Sequence, residues 1–170
     1  ARFDLKKAEA INASHMRLLS VEEISERVTP YLQSAGLVDA EPTESQAETL
    51  AAAMPLVHER MNKLTEAADM LGFLFVDETG FVRVDEVDEA GREVVQAAYD
   101  ALAGLSDWTT AAIEEALRTS LIDGLGLKPR LAFGPVRVAV TGRKVSPPLF
   151  ESLELLGRER SLARLQGGLA

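Results

Sequence analysis

The chain has 170 residues, 46% hydrophobic and only 5% aromatic, enough for one ordinary domain or two small ones. It has no Cys, which excludes disulfides and thiolate metal centres, and a zinc site built on its two His would need carboxylates to complete it. The net charge of −9 argues by itself against a polyanionic partner, because nucleic-acid binding is driven largely by Lys and Arg displacing counterions.

In chain order, Asp4 is placed to cap a helix through LKKAEAINASHMR, and Ser20 with Glu23 forms a capping-box pattern ahead of Ile24, Val28, Tyr31 and Leu32. Gly36 is the expected left-handed stop of that helix. After a loop from Val38 to Thr43, a helix from Glu44 to Met54 is expected to break or kink at Pro55, with a second piece from Leu56 to Leu71. FLFV and FVRV flank DETG as two short extended segments around a turn would, a hairpin near 73–84. Glu89–Leu102 and Ala111–Leu121 read as two helices joined by GLSDW, the second opened by Thr109 or Thr110 and the pair closed by Gly124 and Gly126. Pro129 and Pro135 each precede a short apolar run. Ser146 before Pro147 and Pro148 marks a helix start, Gly157 closes LFESLELLG, and a last helix runs from Arg158 to Leu165. The Ala- and Leu-rich composition agrees with an all-α fold. No apolar run reaches the roughly 20 residues of a membrane span, and Ala1–Arg17 lacks the apolar centre of a signal peptide, so a soluble, cytoplasmic protein is expected.

The charge is unevenly distributed. Up to Gly124 there are 10 Lys and Arg against 24 Asp and Glu, net −14, whereas Leu125–Ala170 has 8 against 3, net +5. Lys128, Arg130, Arg137, Arg143 and Lys144 gather around short helices and proline turns, and Ser146 would open a helix whose free N–H groups can meet an anion. The cluster is either a seat for phosphates and unstacked bases or the ordinary positive surface of a folded domain. The acidic run containing Asp85 and Glu86 reads as solvated surface. His15 and His58 read as packing or surface residues, which leaves a small enzyme using them with carboxylates as the weakest alternative. No GxSxG, Walker loop, HExxH or dinucleotide fingerprint occurs, so no catalytic residue is assigned.

Several segments carry a family resemblance. FDLKKAEAINASHMR at 3–17 resembles FDxxKLxxxNxxYIR of bacterial glutamyl-tRNA synthetases, with Ala8 in place of Leu and His15 in place of Tyr. LVHERMNKLTEAADMLGFLF, DWTTAAIEEAL and GPVRVAVTGRKVSPPLFESLELLGRERSLARL resemble later segments of the same family in the same order, and their spelling is similar to actinobacterial members. The resemblance implies the C-terminal anticodon-binding region, a helical cage of two packed subdomains. These would be 1–76, which includes the end of the stem-contacting region, and 77–170, with the division falling between Asp77 and Asp88.

By the same resemblance Arg60 reads the third anticodon base, Arg137 contacts the first, and Ser146, Pro147 and Leu149 line that base. Ser146 stands where some relatives have Thr, and Gly134 where a Gln can occur. Arg17 and Asn12 match positions near the tRNA stem, with packing the expected role for Asn12. With Lys128, Arg130, Arg143 and Lys144, Arg17 is a candidate phosphate or stem contact. The implied partner is glutamate tRNA, bound by a monomer. ATP and Mg belong to a catalytic domain whose HIGH-like and KMSKS-like motifs are not in this sequence, so the chain alone is expected to be inactive. The alternative is a free-standing helical protein-interaction module.

Overall fold

In the computed structural model, which describes residues 4–170, local capping chemistry sets most of the helix starts. Phe3, which opens the first motif, lies outside the described residues. The chain forms two compact units, one ending at Phe75 and one running from Val76 to Ala170.

In the first unit, Asp4 accepts from the Lys7 N–H at 3.2 Å to open α1 (Leu5–Leu18). The Ser20–Glu23 capping box opens α2 (Val21–Ser34), whose Ile24, Val28 and Leu32 are fully buried. Gly36 takes the expected positive φ, 71°. A second capping box, Thr43 with Gln46, opens α3 (Glu44–Val57). This helix runs through Pro55 and ends two residues later at Val57, within a turn of the expected break. Pro55 sits in the last turn, so it removes a single backbone hydrogen bond, while Ala53, Met54 and Val57 around it are fully buried. The expected piece from Leu56 to Leu71 is helical only in α4 (Glu66–Leu71), which runs into a 3₁₀ turn at Gly72–Leu74, and residues 58–65 form turns.

The expected hairpin near 73–84 is absent: the described residues contain no strand. Phe73 and Leu74 are buried in the first unit, while Val82 and Val84, 71% and 59% exposed, belong to the second. Asp77 Oδ1 closes the intervening turn by accepting from the Thr79 hydroxyl and from the Thr79 and Gly80 N–H groups at 2.7–3.0 Å, and the Thr79 and Gly80 bonds hold its pKa below the usual value. The FVRV segment finds its backbone partner elsewhere, because Val84 N and Asp85 N both donate to the Gly142 carbonyl.

The second unit contains α5 (Glu89–Ala103), α6 (Thr110–Leu117), α7 (Pro129–Thr141), α8 (Leu149–Leu156) and α9 (Arg158–Gly167). Asp88 caps α5 and Thr109 caps α6, which continues as a π-helical turn over Arg118–Gly124. The GLSDW connection is pinned to α8: Trp108 Nε1 donates to the Leu153 carbonyl at 2.9 Å and Thr110 donates twice to the Glu154 carboxylate. The two runs expected around Pro135 are one helix. An interior Pro costs about 3 kcal/mol, but Val136, Ala139 and Val140 are fully buried, and burying each such side chain contributes up to about 3 kcal/mol, less for Ala.

The segment from Val76 to Asp85 is anchored through Arg164, which is 1% exposed. Its guanidinium donates to both Glu78 oxygens at 3.0 and 3.2 Å, to the Val140 carbonyl at 3.1 Å and to the Val76 carbonyl at 3.0 Å, and it lies 3.9 Å from the Phe81 ring centroid. Burial lowers its pKa to about 10, opposed by Glu78, so it is charged at neutral pH.

Candidate nucleic-acid interface

Each unit presents one group of the residues singled out from the sequence. In the first, Arg60 sits in the turn after α3, exposed, with no side-chain hydrogen bond or ion pair among the described residues. Its backbone is tightly held. Arg60 N donates to the Val57 carbonyl at 2.8 Å, and the next residue, Met61, is fully buried. On either side, Arg17 Nε donates to the Glu59 carbonyl at 3.3 Å and Asn12 Nδ2 to the Asn62 carbonyl at 3.1 Å. His58 Nε2 lies 2.7 Å from the Met16 carbonyl, and because a carbonyl only accepts, that ring nitrogen carries the proton. Lys63 pairs with Glu9 at 2.6 Å, and that hydrogen bond and charge raise the lysine pKa. Both partners are half exposed, so the pair adds little stability. His15 is exposed on α1.

In the second unit, a cleft of about 530 Å³ runs beside α7. Arg130, Arg137 and Lys144 supply positive charge to it, Phe133, Gly134 and Pro135 supply apolar surface, and Glu86 and Asp88 form an acidic wall. Arg137 Nη1 donates to Ser146 Oγ at 2.7 Å and to the Pro147 carbonyl at 2.8 Å, which fixes the direction of the guanidinium. The acidic wall is held by the Asp85 carboxylate, which accepts from Lys144 N at 2.7 Å, and by Asp88 accepting from Gly91 N.

Contrary to the expectation from the sequence, Ser146 does not begin the helix. α8 begins at Leu149 with Pro148 as its cap, and the buried Ser146 hydroxyl is taken up by Arg137 and Pro147. Pro147 and Leu149 are also buried, and Ser146 and Pro147 back the Arg137 guanidinium. Lys128, the N-cap of α7, is exposed, and Arg143 is half-buried beyond the end of that helix. Sequence reasoning missed Glu86, Asp88 and Phe133 as parts of one cleft, and it did not see the α1 ties to the Arg60 turn. The only local signal for the former was the Asp88 cap. The latter had none.

Residues 23–169 match the family model for the anticodon binding domain. Among curated proteins, the chain is similar to glutamate–tRNA ligases of Nocardioides sp. (59% identity, 99% of this chain and 35% of that protein) and Kineococcus radiotolerans (55% identity, 98% and 34%). Both are actinobacterial, as the motif spelling led us to expect. The chain thus spans about a third of the length of the curated relatives it matches. Among solved structures it is similar to the glutamate tRNA ligase of Elizabethkingia meningosepticum (TM-score 0.73, 20% identity, 99% of this chain and 33% of that one). It is also similar to the glutamate–tRNA synthetase of Elizabethkingia anophelis (TM-score 0.72, 21% identity, 99% and 32%). The structural likeness supports the helical fold.

Proposed function

The chain belongs to the anticodon-binding domain family, and from that premise we propose that it is the anticodon-recognising third of a glutamate–tRNA ligase. Its ligand in this reading is the anticodon stem-loop of glutamate tRNA. The whole enzyme attaches glutamate to that tRNA, works as a cytoplasmic monomer, and handles ATP and Mg outside this chain. The chain contributes recognition and breaks no bond. Among the described residues no helix is long and apolar enough to cross a membrane.

The observation that carries this reading is the α7 cleft, where an oriented guanidinium, an aromatic ring and two further cations meet. Single-stranded RNA is read on unstacked bases, by stacking and by hydrogen bonds to base edges, and Arg is the side chain whose fixed fork of donors suits that task. Arg137 contacts the first anticodon base, with Ser146, Pro147 and Leu149 shaping the pocket behind it. Arg60 reads the third base. Lys128, Arg130, Arg143 and Lys144 meet backbone phosphates.

The test is an equilibrium titration of this chain with a glutamate-anticodon stem-loop and with the same loop carrying a changed third base, at two salt concentrations. Preference for the cognate loop that weakens steeply with salt supports the reading. Binding of neither loop nor full-length tRNA sinks it, and salt-insensitive binding of a protein favours an interaction module. In the same assay, Arg60→Gln is expected to cost about 1–3 kcal/mol with the cognate loop and to erase the third-base preference. Lys144→Ala should weaken every loop alike and reduce the salt slope by about one. Equal losses on cognate and changed loops for Arg60→Gln would remove Arg60 as a reader.

A further inference from the structure

We propose that α1 is a strut that positions Arg60, with Asn12, Arg17 and His58 as the positioning residues; the inference rests on the reading of Arg60 as a base contact. Turn residues 58–65 lie outside the regular helices and are held by a few local bonds, Arg60 N and Met61 N to the Val57 carbonyl and Asn62 N to the Glu66 carboxylate. To these α1 adds three: the carbonyl before Arg60 is held by Arg17 and the carbonyl of Asn62 by Asn12, while His58 reaches back to the Met16 carbonyl. The three bonds bracket the one residue of the turn whose guanidinium is exposed and unpartnered among the described residues.

Beyond these bonds, the half-exposed Glu9–Lys63 ion pair also joins α1 to the turn, and little of the helix is buried. Within the helix only Ala13 and Met16 are buried, and Leu5, Ile11 and Leu18 are 67%, 50% and 82% exposed. The polar ties are therefore a principal attachment between helix and turn. A reading side chain discriminates only while its backbone is kept within a fraction of an ångström of the productive position. In this proposal Arg17 acts through Arg60, by way of the Glu59 carbonyl, in place of the phosphate contact expected from the sequence.

The experiment compares Asn12→Ala, Arg17→Ala, His58→Leu and His58→Gln with Arg60→Gln in the stem-loop titration, using cognate loops and loops changed at the third or at the first base. The three tie-breaking variants are expected to lower third-base preference about three- to tenfold, less than loss of a bidentate base contact. First-base preference and the salt slope should stay unchanged. His58→Gln should recover most of the preference lost in His58→Leu, because an amide N–H can also reach the carbonyl. A loss of third-base preference that runs in step with a fall in the unfolding midpoint or in helical circular dichroism would mean a merely destabilised first unit and would overturn the proposal. So would an Arg17→Ala protein with a shallower salt slope and intact third-base preference, which would make Arg17 a phosphate contact. If Arg60→Gln itself leaves third-base preference intact, the reading of Arg60 fails and the strut with it; if Arg60→Gln abolishes it while the tie-breaking variants do not, only the strut fails.

Discussion

Arg164→Met is expected to lower the unfolding free energy by about 3 kcal/mol, because removing one partner of a buried ion pair leaves the other partner and its neighbours without compensation. Three acceptors bond this guanidinium: the Val140 carbonyl, and the Glu78 carboxylate and Val76 carbonyl, which Arg160 also reaches. Methionine matches much of the volume but offers none of them a donor. Glu78 is 39% exposed and has Arg160 at 3.4 Å, so it can be partly rehydrated, which keeps the cost near the lower end of what broken buried pairs show. Arg164→Lys should recover only part of the loss, since one ammonium cannot reproduce a planar fork that spans all three acceptors. Urea unfolding monitored by helical circular dichroism provides the measurement. A lower midpoint with unchanged slope is the expected result, and a loss below about 1 kcal/mol would mean that the site relaxes around a neutral side chain.

Gly142→Ala has the second large effect, expected at about 2–4 kcal/mol. Gly142 ends α7 with φ 79°, in the left-handed region where a side chain costs about 1–2 kcal/mol. A Cβ there would also lie 2.6 Å from the Val82 carbonyl oxygen, a backbone atom that can retreat only by moving the whole segment. That segment includes Val84 and Asp85, which donate to the Gly142 carbonyl, and Asp85 in turn accepts from Lys144 N. Loss of stability should therefore come with altered binding at the α7 cleft. Gly134→Ala is the matched control: it lies inside the same helix at a negative φ and, its chain neighbours and helix backbone aside, nothing stands within 4 Å of its added Cβ, so with the helix-propensity gain offset by crowding against the following Pro135 it should change stability by less than about 1 kcal/mol. Thermal unfolding of the two variants side by side separates the cases, and equal melting temperatures would refute the strain argument.

What could be read from the sequence was chemistry confined to a few neighbouring residues. Asp4, Ser20 with Glu23, Gly36 and Gly157 each act within one turn of chain, and each does in the structure what its local spacing predicts. Proline misled at Pro135. There the local penalty is a lost hydrogen bond and some crowding, and burial of Val136, Ala139 and Val140 outweighs it, whereas at Pro55 the helix ends within a turn of the expected break. The hairpin failed because Phe73 and Leu74 are buried in the first unit, whereas FVRV lies in the second with Val82 and Val84 exposed and the Val84 N–H paired to Gly142, a partner that a short window does not contain. In the candidate site, the basic cluster was legible from composition alone. The pairing of Arg137 with Ser146 across nine residues, and of Asn12 with Asn62 across fifty, exists only once the helices are folded against one another.

The ties around Arg60 have one more property. Each ends on a main-chain oxygen, at Glu59, at Asn62 or at Met16, and every amino acid supplies that atom. The side chains at 59, 60 and 62 can be exchanged without removing an acceptor, so where the turn sits is encoded separately from what it presents. A lineage or an engineer can then alter the presented chemistry by a single substitution while inheriting the support unchanged.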